Sequence, residues 1–189
     1  MKGDYYKTKA SVEEYIQLAK DVNGKKLIEK LRKVLPARSG LLELGSGPGT
    51  DWRLLNEIYQ VTGSDNSSEF LKHLRANNPH GEFFELDAIT LETDHTFEGI
   101  FSNKVMIHLR DEELQASIKR QSQILGPDGI ICHSFWKGEG TEIFKGLFVN
   151  YQNEKRLKKL FDNNFEILSI ESYAEFEADD SLLLIGKKK

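Results

Sequence analysis

Three carboxylates recur at even intervals along this 189-residue chain, Glu43, Asp65 and Asp87, and each stands near the end of a short apolar run. The first run, Leu41, Leu42 and Leu44, leads into Gly45, Gly47 and Gly49. Glycines at that density let the backbone turn through left-handed conformations and let a ligand approach it closely. The spacing is G-x-G-x-G, with Thr50 where the dinucleotide fingerprint requires a third glycine. A carboxylate repels a neighbouring pyrophosphate, so Glu43 argues for a ligand that carries positive charge. VTGSD closing on Asp65 and EFFELDA around Asp87 read as the next two strands. In an open α/β sheet, ligands lie beyond the carboxyl ends of the strands, so the three acids line one edge.

That edge divides the work among the acids. Glu43 lies near the cationic end of a ligand, Asp65 accepts hydrogen bonds from both hydroxyls of a ribose, and Asp87 meets an adenine amino group. S-adenosylmethionine (SAM) has a sulfonium, an ammonium and no phosphate, and it satisfies all three. Ser46 in the turn, Asn66 after Asp65 and Ala88 after Asp87 belong to the same expected contact set. The plainer reading of Asp65 and Asp87 is that they cap loops or helices, as Asp often does.

With ELGSGPG at 43–49, the acid at 65, LDA at 86–88, FEGIFSNKVMIHL at 97–109 and LGPDGIICHSFW at 125–136, the chain resembles the class I SAM-dependent methyltransferases. It is most similar to the small bacterial methyltransferase-domain type that acts on small molecules. The resemblance implies an α/β fold: a Rossmann-like, doubly wound seven-stranded sheet of order 3-2-1-4-5-7-6, with strand 7 antiparallel and helices on both faces. It also implies SAM as donor, S-adenosylhomocysteine as product, and contacts from Asn103 to the methionine part of the cofactor. The second position of the fourth motif, usually Asp, is Glu98 here.

Methyl transfer asks mainly for alignment of acceptor, methyl and sulfur in a dry pocket. A base is needed only when the acceptor must lose a proton. His108, just past the fourth strand, is the candidate; its alternative role is to tie down the loop before the next helix. His133 alternates within an apolar strand and reads as core. Asn103 lacks the Asn-Pro-Pro-Tyr setting used to methylate nucleic-acid amines. Cys132 sits inside an apolar strand, where a thiol is inert packing. Two segments could close the pocket. Residues 4–17 bring Tyr5, Tyr6 and Tyr15, with Tyr15 also on its helix's apolar stripe. Residues 136–151 bring Trp136, Phe144, Phe148 and Tyr151 between Gly138, Gly140 and Gly146, a lid over a flat or apolar acceptor.

Alternating elements must position these residues. Apolar periodicity predicts a helix after a Ser11 cap, a second stopped by Pro36, and a third from Thr50. A fourth opens on an Asn66/Glu69 capping box, and a fifth, capped by Asp111, runs to Gly126-Pro127. Strands fall at 40–44, 60–64, 82–86, 98–102 and 129–135. A helix near 153–162 then precedes two strands, 165–172 and 181–187, that form a hairpin.

Length suits one domain, 1–189, with 1–35 as N-terminal helices that can cover the site. A net charge of −4, and acidic stretches at 82–98 and 160–186 without Lys or Arg, disfavour nucleic acid as partner. The basic cluster Lys155, Arg156, Lys158 and Lys159 reads as a solvated helix face. No apolar run reaches membrane-spanning length and no signal segment opens the sequence, so a cytoplasmic location is expected. One cysteine excludes an intrachain disulfide, and no metal site is expected. A methyltransferase acting on RNA or protein, and a SAM-binding protein without catalysis, are the competing readings. Oligomeric state is open.

Overall fold

The computed structural model describes residue 6 and residues 8–189. Asp4 and Tyr5, expected in the N-terminal cover, lie outside the described residues. Helix α1 (Lys9–Leu18) is capped by Thr8, whose side chain accepts from the Ser11 N–H, so the cap lies three residues before Ser11. Helix α2 (Lys25–Leu31) buries Leu27, Ile28 and Leu31 and ends before Pro36. Then follow β1 (Gly40–Leu44), α3 (Thr50–Asn56), β2 (Gln60–Asp65), α4 (Ser68–Asn77), β3 (Glu82–Glu85), β4 (Phe97–Asn103) and α5 (Asp111–Ile124). The chain finishes with β5 (Leu125–Trp136), β6 (Thr141–Phe144), β7 (Leu147–Asn150), α6 (Glu154–Phe161), β8 (Phe165–Tyr173) and β9 (Ser181–Lys188).

The main sheet has the order β3-β2-β1-β4-β5-β9-β8. Its first five strands are parallel, and β9 runs antiparallel to both β5 and β8. This is the expected topology; β6 and β7 pair only with each other and shift the numbering of the last two strands. Because side chains alternate along a strand, neighbouring residues feed two separate cores. Leu42, Leu44, Ile100 and Ile131 pack with Leu114, Ile118, Leu157 and Phe161. Leu41, Phe101, Ile130 and Cys132 pack with Leu27, Leu31, Trp52 and Leu55 on the opposite face. Both faces of the sheet are therefore covered by helices, as a parallel sheet requires.

Local chemistry moved three boundaries. Ser67, not Asn66, caps α4, accepting from the Phe70 N–H at 3.3 Å. In α5 the acid that closes the N-terminus is Glu113, which accepts from the Arg110 backbone N–H at 2.9 Å, while Asp111 is the first helical residue. Gly126-Pro127 ends α5 but lies inside β5, where Asp128 at φ 60° lets the strand resume. Glu98, the departure from the family pattern, accepts from the Gly40 N–H at 2.8 Å and ties the starts of β4 and β1 together.

The glycine-punctuated segment after Trp136 is a hairpin. Lys145 and Gly146 have φ of 50° and 79°, the paired positive angles that a two-residue turn between twisted strands needs. Among the described residues no helix is long and apolar enough to cross a membrane.

Candidate functional site

The end of β1 sets the site. Gly45 has φ 64°, and a Cβ there would meet Val105 Cγ2 at 2.6 Å, so the turn packs tightly on the loop after β4. Gly47 differs: with φ 48°, its absent Cβ points into space where the nearest atom, Gly45 O, is 3.9 Å away. That space belongs to a cavity of about 340 Å³ at the carboxyl ends of the parallel strands. Of the residues expected at a cofactor, Gly45, Gly47, Asp65, Asn66, Asp87, Ala88, Asn103 and Tyr15 line it, and so does His108.

Glu43, Ser46 and Gly49 stand behind this wall. Ser46 Oγ accepts from the Ser64 N–H at 3.1 Å and so stitches the glycine turn to β2. Gly49 precedes α3 in a left-handed conformation, packed toward Leu74. Asp65, 8% exposed, uses both oxygens on backbone: Oδ2 accepts from the Gly47 N–H at 3.0 Å and Oδ1 from the Ser67 N–H at 2.9 Å. Burial raises its pKa, and those N–H bonds pull the other way. Asp87 Oδ1 accepts from the Ile89 N–H at 2.8 Å and shapes the opposite rim.

One further acid belongs to this centre. Asp51, in the first turn of α3, accepts from the Gly24 N–H at 2.6 Å and from Asn103 Nδ2 at 3.0 Å. Asn103 Oδ1 in turn accepts from Ser134 Oγ at 2.6 Å. Asp51 thus links the start of α2 to the ends of β4 and β5, and burial raises its pKa. It had a signal in the sequence, as the acid two residues after the glycine turn. An acid in a first helical turn is also what the helix dipole favours, so its type alone gave no second meaning.

The electrostatics of the group are unbalanced. Glu43 is 3% exposed, and its Oε2 has no hydrogen-bond partner among the described residues. Burial, then the nearby Asp51 and Asp65 charges, push its carboxyl up to about 8, with Ser46 and Arg53 only partly opposing. Leaving a buried carboxylate oxygen unpaired is costly. Positive charge on a ligand in the cavity beyond Gly47 would be favoured by this acidic group behind the wall. These residues fit a cationic amino-acid nucleoside such as SAM.

On the far side, His108 Nδ1 lies 2.8 Å from the Phe148 carbonyl oxygen. A carbonyl can only accept, so Nδ1 carries the hydrogen and Nε2 keeps a lone pair. Burial lowers the imidazole's pKa, which keeps it neutral. Tyr6 stands between His108 and Phe70, with ring centroids 6.5 and 5.6 Å away, and Tyr15 meets Tyr6 edge-on at 5.2 Å.

The aromatics expected against an acceptor are placed differently. Trp136, Phe144 and Tyr151 do not line the cavity. Trp136 stacks on Phe176 and carries the Lys104 ammonium 4.0 Å from its ring centroid. Phe144 stands at the hairpin tip, 58% exposed, and the Tyr151 hydroxyl donates to Glu142. The hairpin instead offers Leu147 and Phe148 to the cavity. Once β6 and β7 pair, their register decides which aromatics face inward, and the glycine spacing did not reveal that pairing. His133 is core: it bonds Ser102 Oγ and Gln121 Oε1, each at 2.8 Å.

The chain is similar to proteins of known family. Residues 41–129 match the family described as methyltransferase domain. The 1,6-didemethyltoxoflavin-N1-methyltransferase of Burkholderia thailandensis, solved with 1,6-didemethyltoxoflavin and S-adenosylhomocysteine, superposes with a TM-score of 0.80 at 18% identity, over 95% of this chain and 84% of that one. The N-methyltransferase NodS of Bradyrhizobium japonicum, solved with S-adenosylhomocysteine, gives 0.69 at 16% identity, over 87% and 86%. A SAM-dependent methyltransferase of Clostridium acetobutylicum gives 0.75 at 15% identity, over 93% and 96%. Identities this low speak to the fold. Residues 41–129 thus match the methyltransferase-domain family, and the sheet order and acid-lined strand ends follow the fold of these solved methyltransferases.

Proposed function

We propose that residues 1–189 form one domain that transfers a methyl group from SAM to a small-molecule acceptor. The observation that carries this reading is the unpaired Glu43 carboxylate oxygen behind the open face of Gly47. SAM, when bound, supplies a methyl already activated by its sulfonium, so the chain's task is placement and exclusion of water. Glu43 and Asp51 supply negative charge near the positive end, Asp65 accepts from the ribose hydroxyls with the lone pairs its backbone bonds leave free, and the Asp87–Ala88 rim with Asn66 receives the adenine. Tyr6 and Tyr15 cover the cavity from the N-terminal side. The cavity of about 340 Å³ falls in the range of small-ligand pockets. The Burkholderia structure, solved with 1,6-didemethyltoxoflavin, points the same way. One buried thiol, Cys132, supports a cytoplasmic setting.

The Asp65 role is tested by calorimetry with S-adenosylhomocysteine. Asp65→Ala should weaken binding by roughly 1–3 kcal/mol, since a charged acceptor of two hydroxyls is lost. Unchanged affinity would remove Asp65 from the site. His108 Nε2 is assigned as the acceptor of the proton that a hydroxyl or ammonium substrate releases. His108→Gln should lower turnover by about 100-fold and flatten the low-pH limb of the rate profile. A full rate with an unaltered profile would reduce His108 to a loop tie.

A further inference from the structure

Two basic side chains line the cavity, Lys104 and Arg110. Lys104 is committed elsewhere: its ammonium donates to Phe135 O at 3.2 Å, Tyr173 Oη at 3.0 Å and Ser181 Oγ at 2.7 Å, with Glu175 at 4.0 Å. Arg110 is not. Its guanidinium carbon stands 5.3 Å from the centre of the Phe148 ring, and it makes no ion pair among the described residues. The acids beside it are already engaged. Asp111 takes Arg156 at 2.7 and 2.9 Å and Asn150 at 3.0 Å, and Glu113 takes the Arg110 backbone N–H rather than its guanidinium.

Phe148 therefore holds two groups at once. Its carbonyl fixes the His108 tautomer, and its ring braces the Arg110 fork. An unpaired guanidinium on an aromatic face is pre-organised to take a carboxylate or phosphate in bidentate fashion. It stands out in a chain of net charge −4, on a cavity wall that also carries Asp65, Asp87 and Glu113.

We propose that the acceptor carries an anionic group, a carboxylate or a phosphate, which Arg110 binds over Phe148 so that the atom to be methylated faces His108. The proposal rests on the reading of this cavity as a methyl-transfer site. Arg110 is then the residue that selects among acceptors: neutral analogues enter the same space without being oriented.

The test uses the whole chain saturated with S-adenosylhomocysteine and three probes, benzoate, phenyl phosphate and neutral benzamide, with binding followed by ligand-observed NMR. At least one of the two anions should bind tenfold or more tightly than benzamide, and which one does so tells carboxylate from phosphate. In Arg110→Met that preference should vanish, and Arg110→Lys should restore part of it. Equal binding of charged and neutral probes, no binding of either anion, or a preference that survives in Arg110→Met overturns the proposal. The comparison of probes on the unaltered chain stands even if a variant folds poorly. Calorimetry with S-adenosylhomocysteine is read separately. Failure of the unaltered chain to bind it removes the methyltransferase reading, whereas binding without charge preference removes only the role of Arg110.

Discussion

Gly47→Val should leave a folded protein with no measurable affinity for S-adenosylhomocysteine at concentrations about 100-fold above the unaltered chain's Kd, a loss of roughly 3 kcal/mol or more. Two effects act together. The backbone sits at φ 48°, which a β-branched residue adopts only with strain. The new side chain also projects into the cavity, since no protein atom lies closer to the Cβ position than 3.9 Å. Because nothing in the protein clashes, the penalty falls on the ligand more than on the fold. Gly47→Ala, smaller and unbranched, should lose less. Calorimetry beside a thermal melt separates the two effects; a valine variant that binds within threefold of the original would show that the ligand does not pass this turn.

The second large effect concerns stability. His133 is fully buried between Ser102 and Gln121 and stays neutral, with burial lowering its pKa from 6.5 to about 3. The unfolded chain takes up a proton below pH 6.5 that the folded chain refuses until about pH 3. The stability present above 6.5 is therefore lost as pH falls, by an amount on the order of 5 kcal/mol over the full window. Glu43 acts in the opposite sense: its carboxyl, raised from 4.5 to about 8, stays protonated in the folded chain while the unfolded one ionises, so its contribution declines as pH rises through that range. The two slopes oppose each other only where the windows overlap, between about pH 4.5 and 6.5, so the comparison must be between variants.

His133→Gln should be the less stable chain near pH 7.5, because the imidazole's two hydrogen bonds are only partly replaced. That deficit should shrink by about 2 kcal/mol near pH 5, where only the original chain has a proton to refuse. Urea unfolding at both pH values measures it, and a deficit that does not change with pH would refute the assignment.

Much of the frame was legible from residue order. The short segments LLEL, VTGSD and EFFELDA, each with an acid near its end, marked strands because turn residues bound them. The stop at Gly126-Pro127 and the late strand pair came from turn chemistry and from the missing crossover helix. Caps were read one to three residues off, since Ser67 and Thr8 compete with equally suitable neighbours and only backbone geometry chooses between them. The acceptor side was the least legible. Which of Trp136, Phe144, Phe148 and Tyr151 faces inward depends on a two-stranded pairing that the glycines Gly138, Gly140 and Gly146 make permissible without requiring it.

By itself, then, the sequence determined the order of the elements, the acidic strand ends and the glycine turn, because these rest on local conformation and on periodicity along the chain. Only the tertiary structure decided that Asp51 joins Glu43 in one acidic centre, that the imidazole of His108 is fixed by a carbonyl forty residues away, and that Arg110 is left without an acid among the described residues. Those are outcomes of burial and of competition for partners between distant segments. They exist only once the segments have met.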